Sequence, residues 1–119
     1  MEKKPQDIHE RIYTYIIQVL RIVKRVKRSF ENDVIIGQLL RSITSVGAND
    51  QEANGSFTKA DFIHCYTIAR KEMRESLFWI RLLGDTNDAL IKEIHALIPE
   101  GNEISKIITA IILNTKKGI

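Results

Sequence analysis

Four polar side chains, Arg41, Ser45, Asn49 and Glu52, are spaced 4, 4 and 3 residues apart. On a helix that spacing aligns them in one stripe. Glu72, Glu75 and Trp79 are spaced 3 and 4 apart and likewise share a helical face. An arginine opposite two carboxylates can make charge-assisted, bidentate hydrogen bonds. Two roles are open to such a stripe. It can hold a polar ligand, or it can fix the register of two helices at some cost in stability.

Other chemistry finds little support. His9, His64 and His95 are scattered through the chain. A zinc site needs about four well-placed N, S or O ligands. His64 and Cys65 are adjacent, so on a helix they point about 100° apart and cannot readily share an ion. Cys65 is the one cysteine, which leaves nothing for it to pair with inside the chain. As a nucleophile it would need a base beside it; as a small apolar residue it needs nothing. A di-iron bundle would carry Glu-x-x-His motifs, whereas residues 72–75 read Glu-Met-Arg-Glu. No glycine-rich phosphate loop is present. No catalytic residue, metal or cofactor is expected.

Charge is unevenly spread. The chain has 119 residues and a net charge of +3. Residues 1–30 hold eight Lys or Arg against three Asp or Glu, whereas residues 31–55 hold one against four. The basic character concentrates in Arg21, Lys24, Arg25, Lys27 and Arg28. Such a cluster can attract nucleic acid or anionic lipid. It can also be only the solvated face of a surface helix.

The elements that must position these groups are all helical. Residues 8–30 carry an apolar seam at Ile8, Ile12, Tyr15, Val19, Ile22 and Val26, with steps of 4, 3, 4, 3 and 4. Ile16, Leu20, Val23 and Phe30 lie beside it, with Tyr13 and Ile17 further round, an arc wider than one bundle face, which predicts a second burial partner outside the protomer. A second helix is expected over residues 34–53, capped by Asn32 or Asp33, with its seam at Ile36, Leu39, Ile43 and Val46. Gly37 and Gly47 inside it signal either close helix approach or tolerated weakness. A third is expected over residues 59–83, opened by Thr58 and Asp61 as a shortened capping box. Its seam runs through Phe62, Tyr66, Ala69, Met73, Ser76, Ile80 and Leu83. A short helix over 88–98, a break at Pro99-Glu100-Gly101 and a last helix over 102–116 complete the chain. The expected fold is all-α: one domain over residues 1–119, an antiparallel up-and-down four-helix bundle with a short extra helix between the third and fourth. The turn near 54–57 then brings Arg41 level with Glu72 or Glu75, and Glu52 near Lys59. No segment reaches the ~20 apolar residues of a membrane span, and no cleavable leader is recognisable. A cytoplasmic protein with no membrane contact is expected.

These same residues carry a resemblance. Residues 38–53, Gln-Leu-Leu-Arg-Ser-Ile-Thr-Ser-Val-Gly-Ala-Asn-Asp-Gln-Glu-Ala, closely resemble the signature of the 23S rRNA intervening-sequence proteins, a bacterial four-helix bundle family. The likeness continues through residues 58–63 and 68–80, then weakens. Arg41, Ser45, Asn49, Glu52, Asp61, Phe62, Ala69, Glu72, Glu75 and Trp79 stand where the family motif has them. Asp50 stands where an apolar residue is common, and Thr58 where serine is common. The resemblance implies a ring-like homopentamer without enzymatic activity. It also points to a related group, the accessory proteins of diversity-generating retroelements, which bind nucleic acid and work with a reverse transcriptase. Two partner classes follow. One is RNA or DNA, held through phosphates by Arg21, Lys24, Arg25, Lys27 and Arg28. The other is a second protein, with the basic residues serving only solubility.

Overall fold

A computed structural model describes residues 7–118 of the chain. Lys3 and Lys4, counted in the basic first segment, lie outside the described residues. Four long helices carry the fold: α1 (Ile8–Val23), α2 (Phe30–Asn54), α3 (Lys59–Asp85) and, after a short α4 (Ile91–His95), α5 (Ile98–Lys116). A single 3-10 turn, Asp88–Leu90, leads into α4. No strand occurs among the described residues. The helices run up and down, α2 and α3 forming the central hairpin, with α1 packed on α2 and α5 packed on α3. The expected four-helix bundle with its short extra helix is what forms.

The apolar seams meet along the bundle axis. Ile12, Tyr15, Val19, Leu39, Ile43, Val46, Tyr66, Ala69, Met73, Ile80, Ile104, Ile108 and Ile112 are all at most 2% exposed. Each large side chain among them contributes roughly 1.5–3 kcal/mol by leaving water. This burial is what holds helices whose surface residues have only ordinary propensity.

Helix boundaries differ from expectation in three places. α1 stops at Val23, not residue 30. Arg25 N–H and Val26 N–H bond to the carbonyls of Ile22 and Val23, three residues back, which tightens and ends the helix. Val26 still tucks into the core, so its place in the heptad marks burial on a turn rather than continued helix. α2 begins at Phe30 because Ser29, not Asn32 or Asp33, is the cap; its side chain accepts the N–H of Asn32 at 3.0 Å. Asn32 instead exchanges reciprocal amide hydrogen bonds with Asn87, at 2.9 and 3.0 Å, and donates to the Lys27 carbonyl. Third, Pro99-Glu100-Gly101 does not break the chain. Proline lacks only an N–H that the first helical turn leaves unpaired anyway, so Pro99 opens α5.

Candidate nucleic-acid interface and polar network

The cationic cluster spans the end of α1 and the connector to α2, not the face of one helix. Arg21 lies in the last turn of α1, where a cation suits the negative end of the helix dipole. Lys24 caps that helix, and Arg25 and Lys27 follow in the turn. All four side chains are exposed and make no ion pair with other described residues. Arg28 differs. Its Nη2 and Nε meet Asp33 Oδ2 and Oδ1 at 2.9 and 3.3 Å. The hydrogen bond from Arg28 holds the Asp33 carboxyl below its ordinary range. Arg28 is thus neutralised locally, and four cations of the cluster remain without an ion pair among the described residues. Lys24 and Arg28 also rim a shallow groove of about 390 Å³, floored by Val23, Val26 and Ile36.

The predicted stripe on α2 divides in two. Arg41 crosses to α3, where Nη1 donates to Glu72 Oε2 at 3.0 Å and Nη2 donates to Glu75. Trp79 Nε1 donates to the same Glu75 oxygen at 3.1 Å, and Gln38 accepts from Arg41 Nε. Arg41, Glu72, Glu75 and Trp79 therefore form one connected group between α2 and α3. Ser45 and Asn49 do not join it. Asn49 Nδ2 donates to the Ser45 carbonyl at 3.0 Å, a contact within α2. Glu52 is exposed and makes no ion pair with Lys59. The N–H of Asp61 donates to the Thr58 hydroxyl at the start of α3, so the cap forms, though its reverse bond does not.

Two buried polar clusters escaped the sequence reading. Ser42 and Ser76, both wholly buried, share a hydrogen bond of 2.7 Å across the hairpin. Asp50 is 1% exposed. Its carboxylate accepts from the Tyr66 hydroxyl at 2.7 Å and lies 2.9 Å from His9 Nδ1. Burial, and then the Asp50 hydrogen bond, push the Tyr66 hydroxyl well above its ordinary range. A signal for this cluster existed. Asp50 continues the α2 seam four residues after Val46, and Tyr66 lies on the α3 seam. A polar residue on an apolar seam needs a partner there. An open groove of about 450 Å³ adjoins the cluster, lined by His9, Tyr13, Ile16, Gly47 and Asp50 among others. No group of three or more His, Cys, Asp or Glu suited to a metal ion occurs among the described residues. Among the described residues no helix is long and apolar enough to cross a membrane.

Comparison with known proteins agrees with the sequence resemblance. The family model for the 23S rRNA-intervening sequence protein matches residues 4–110. A crystal structure of a protein of unknown function from the S23 ribosomal protein family of Bacteroides thetaiotaomicron superposes with a TM-score of 0.79 and is 29% identical. The match covers 89% of this chain and 98% of that one. No curated protein matches the chain. With the motif residues, the bundle and the family match over most of its length in agreement, this chain belongs to the 23S rRNA-intervening sequence protein family.

Proposed function

We propose that this chain is a non-enzymatic, homo-oligomeric adaptor that binds nucleic acid, or a ribonucleoprotein, through sequence-independent phosphate contacts. The observation that carries the reading is the cluster of four cations without an ion pair among the described residues, Arg21, Lys24, Arg25 and Lys27, gathered over the end of α1 and the connector to α2. Phosphate contacts of this kind supply affinity without base readout. Arg28 contributes less, being paired with Asp33.

Self-association, with a pentamer as the expected state, is the second part of the proposal. Tyr13 on α1 is 67% exposed beside the open groove between α1 and α2. A partner copy would cover this aromatic ring, in keeping with the wide apolar arc of the helix. A pentamer would also repeat the +3 net charge five times on one particle.

The rival reading is a protein-interaction scaffold. Phe57 and Phe30, fully and 80% exposed, favour it, because isolated aromatic rings in water suit a protein partner as well as a base.

Titration of labelled RNA and DNA from low to physiological salt, with particle mass read by light scattering, tests both parts. The expected result is binding that weakens steeply with salt and is carried by an oligomer. Binding unchanged when Arg21, Lys24, Arg25, Lys27 and Arg28 are replaced by glutamine overturns the assignment of phosphate contacts to this cluster, and binding absent at low salt overturns the nucleic-acid assignment. A monomer at working concentration overturns the oligomer.

A further inference from the structure

The solvent face of α3 carries a second set of cations. Residues 64, 67, 71, 74, 78 and 81 are spaced 3, 4, 3, 4 and 3 apart, so they line one side of that helix. All six are exposed, on the side away from the buried seam of Tyr66, Ala69, Met73 and Ile80. Arg70 flanks this face and is half-buried along its stem.

The carboxylates of α3 sit elsewhere on the helix. Glu72 and Glu75 turn toward α2, where Arg41 binds both. Arg70, Lys71 and Arg74 consequently have no ion pair with other described residues. They line a groove of about 290 Å³ together with His64, Thr67 and Ile68, and no carboxylate among the described residues lines it. Three cations around one apolar floor make a place for an anion with some apolar bulk. One turn further on, Phe78 is 56% exposed and packs edge-on against Trp79, with ring centroids 4.9 Å apart. That leaves much of its ring open to solvent, at a position fixed by its neighbour.

We propose that the outward face of α3 is a second phosphate-binding track for single-stranded nucleic acid. Arg70, Lys71 and Arg74 hold the phosphodiester, and Phe78 stacks a base. The inference rests on the nucleic-acid reading above but places contacts on a different element from the α1–α2 connector. A single strand suits the face better than a duplex, because only an unpaired base can lie on Phe78. Charge complementarity selects the partner: cations without counter-charges favour a polyanion, and the exposed ring favours one with flat apolar groups.

The test compares three proteins by fluorescence anisotropy with a labelled single-stranded oligonucleotide over a range of salt. These are the natural chain, the connector variant (Arg21→Gln, Lys24→Gln, Arg25→Gln, Lys27→Gln) and the α3 variant (Arg70→Gln, Lys71→Gln, Arg74→Gln). Helix content and particle mass of each are checked first. Each phosphate contact on a single strand adds about 0.7 to the salt slope, so the α3 variant is expected to lose about 2 from it. Phe78→Ala should weaken binding roughly five-fold or more while leaving the salt slope unchanged. An α3 variant that binds like the natural chain overturns this track and leaves the connector reading standing. Loss in the α3 variant with none in the connector variant supports the track and removes the connector. A natural chain that binds nothing at low salt overturns both. Polyglutamate that competes as well as the oligonucleotide, charge for charge, overturns the nucleic-acid assignment in favour of an acidic protein partner.

Discussion

The Tyr66 hydroxyl donates to the Asp50 carboxylate at 2.7 Å inside the bundle, where both side chains are 1% exposed. Tyr66 comes from α3 and Asp50 from α2, while His9 reaches the same carboxylate from α1. One acidic group thus joins three helices. A buried acceptor with its donors in place adds modestly to stability, but removing it strands those donors at a cost of roughly 1–3 kcal/mol. Asp50→Ala is therefore expected to cost about 3 kcal/mol once the small cavity is included. Asp50→Asn keeps the shape and one acceptor oxygen and is expected to cost about 1 kcal/mol. Urea unfolding of both variants checks the ranking; equal losses would mean that packing, not hydrogen bonding, is what Asp50 provides.

Two buried tyrosines are expected to make the fold sensitive to alkaline pH. Burial pushes the hydroxyls of Tyr15 and Tyr66 well above their ordinary value near 10, with Asp50 adding to the effect at Tyr66 and Glu100 at Tyr15. The unfolded chain ionises these groups near pH 10, whereas the folded chain keeps the protons. The folded state then binds more protons, so stability is intact below pH 10 and falls as pH rises through the window up to the raised folded values. Each group contributes a slope of about 1.4 kcal/mol per pH unit there. Stability measured from neutral pH upward should bend downward near pH 10. Tyr15→Phe and Tyr66→Phe should each remove about half of the bend.

Arg41 bridges Glu72 and Glu75 but is half exposed, so screening limits its worth. Arg41→Ala is expected to lower stability by about 1 kcal/mol. Arg41→Lys should recover little, since a single ammonium cannot reproduce the fork that meets two carboxylates. A double-mutant cycle with Glu75→Gln isolates the coupling. If Arg41 sets the register of α2 against α3, Arg41→Ala also alters particle mass or the near-ultraviolet signal of Trp79. An unchanged melting temperature and oligomeric state would remove that role.

The sequence and the structure part company for physical reasons visible at particular residues. Heptad seams are dense and regular in this chain, so the helices, their antiparallel order and the core through Tyr15, Tyr66 and Ile108 were legible. The Arg41 pairing was legible because turn position and helical rise together fix height along the hairpin. The end of α1 was not. Val26 keeps the apolar rhythm while the backbone has already turned, and periodicity reports burial rather than backbone geometry. Ser29 is hidden as a cap for the same reason, since the residues before it keep the helical rhythm. Pro99 and Gly101 read as a break because proline and glycine are punctuation in most contexts. Here one opens a helix and the other admits a neighbour's side chain. Asp50 stands out in the sequence only as a departure from a family pattern. Its partners lie 41 and 16 residues away, beyond what local spacing reveals.

Three helical glycines separate propensity from packing. A methyl group built on Gly37 meets nothing within 4 Å, whereas on Gly101 it would stand 2.6 Å from the Tyr15 hydroxyl oxygen and 2.5 Å from Leu77 Cδ2. Gly37→Ala is accordingly expected to stabilise the protein by up to about 1 kcal/mol, the ordinary gain of alanine over glycine inside a helix. Gly101→Ala gains the same propensity but must displace Tyr15, whose hydroxyl is fixed by its 2.7 Å bond to the Leu97 carbonyl. Its net effect is expected to be a loss of about 1–3 kcal/mol. Combining it with Tyr15→Phe should cost less than the two changes summed, because the clash loses its oxygen. Gly47 lies between these cases. The methyl would meet Ile16 Cδ1 at 2.7 Å, the free end of a flexible side chain that can rotate aside, so Gly47→Ala should be close to neutral. Chemical denaturation of the three single variants should therefore rank Gly37→Ala above Gly47→Ala above Gly101→Ala. A stabilised Gly101→Ala would mean that Tyr15 is not held where its hydrogen bond places it.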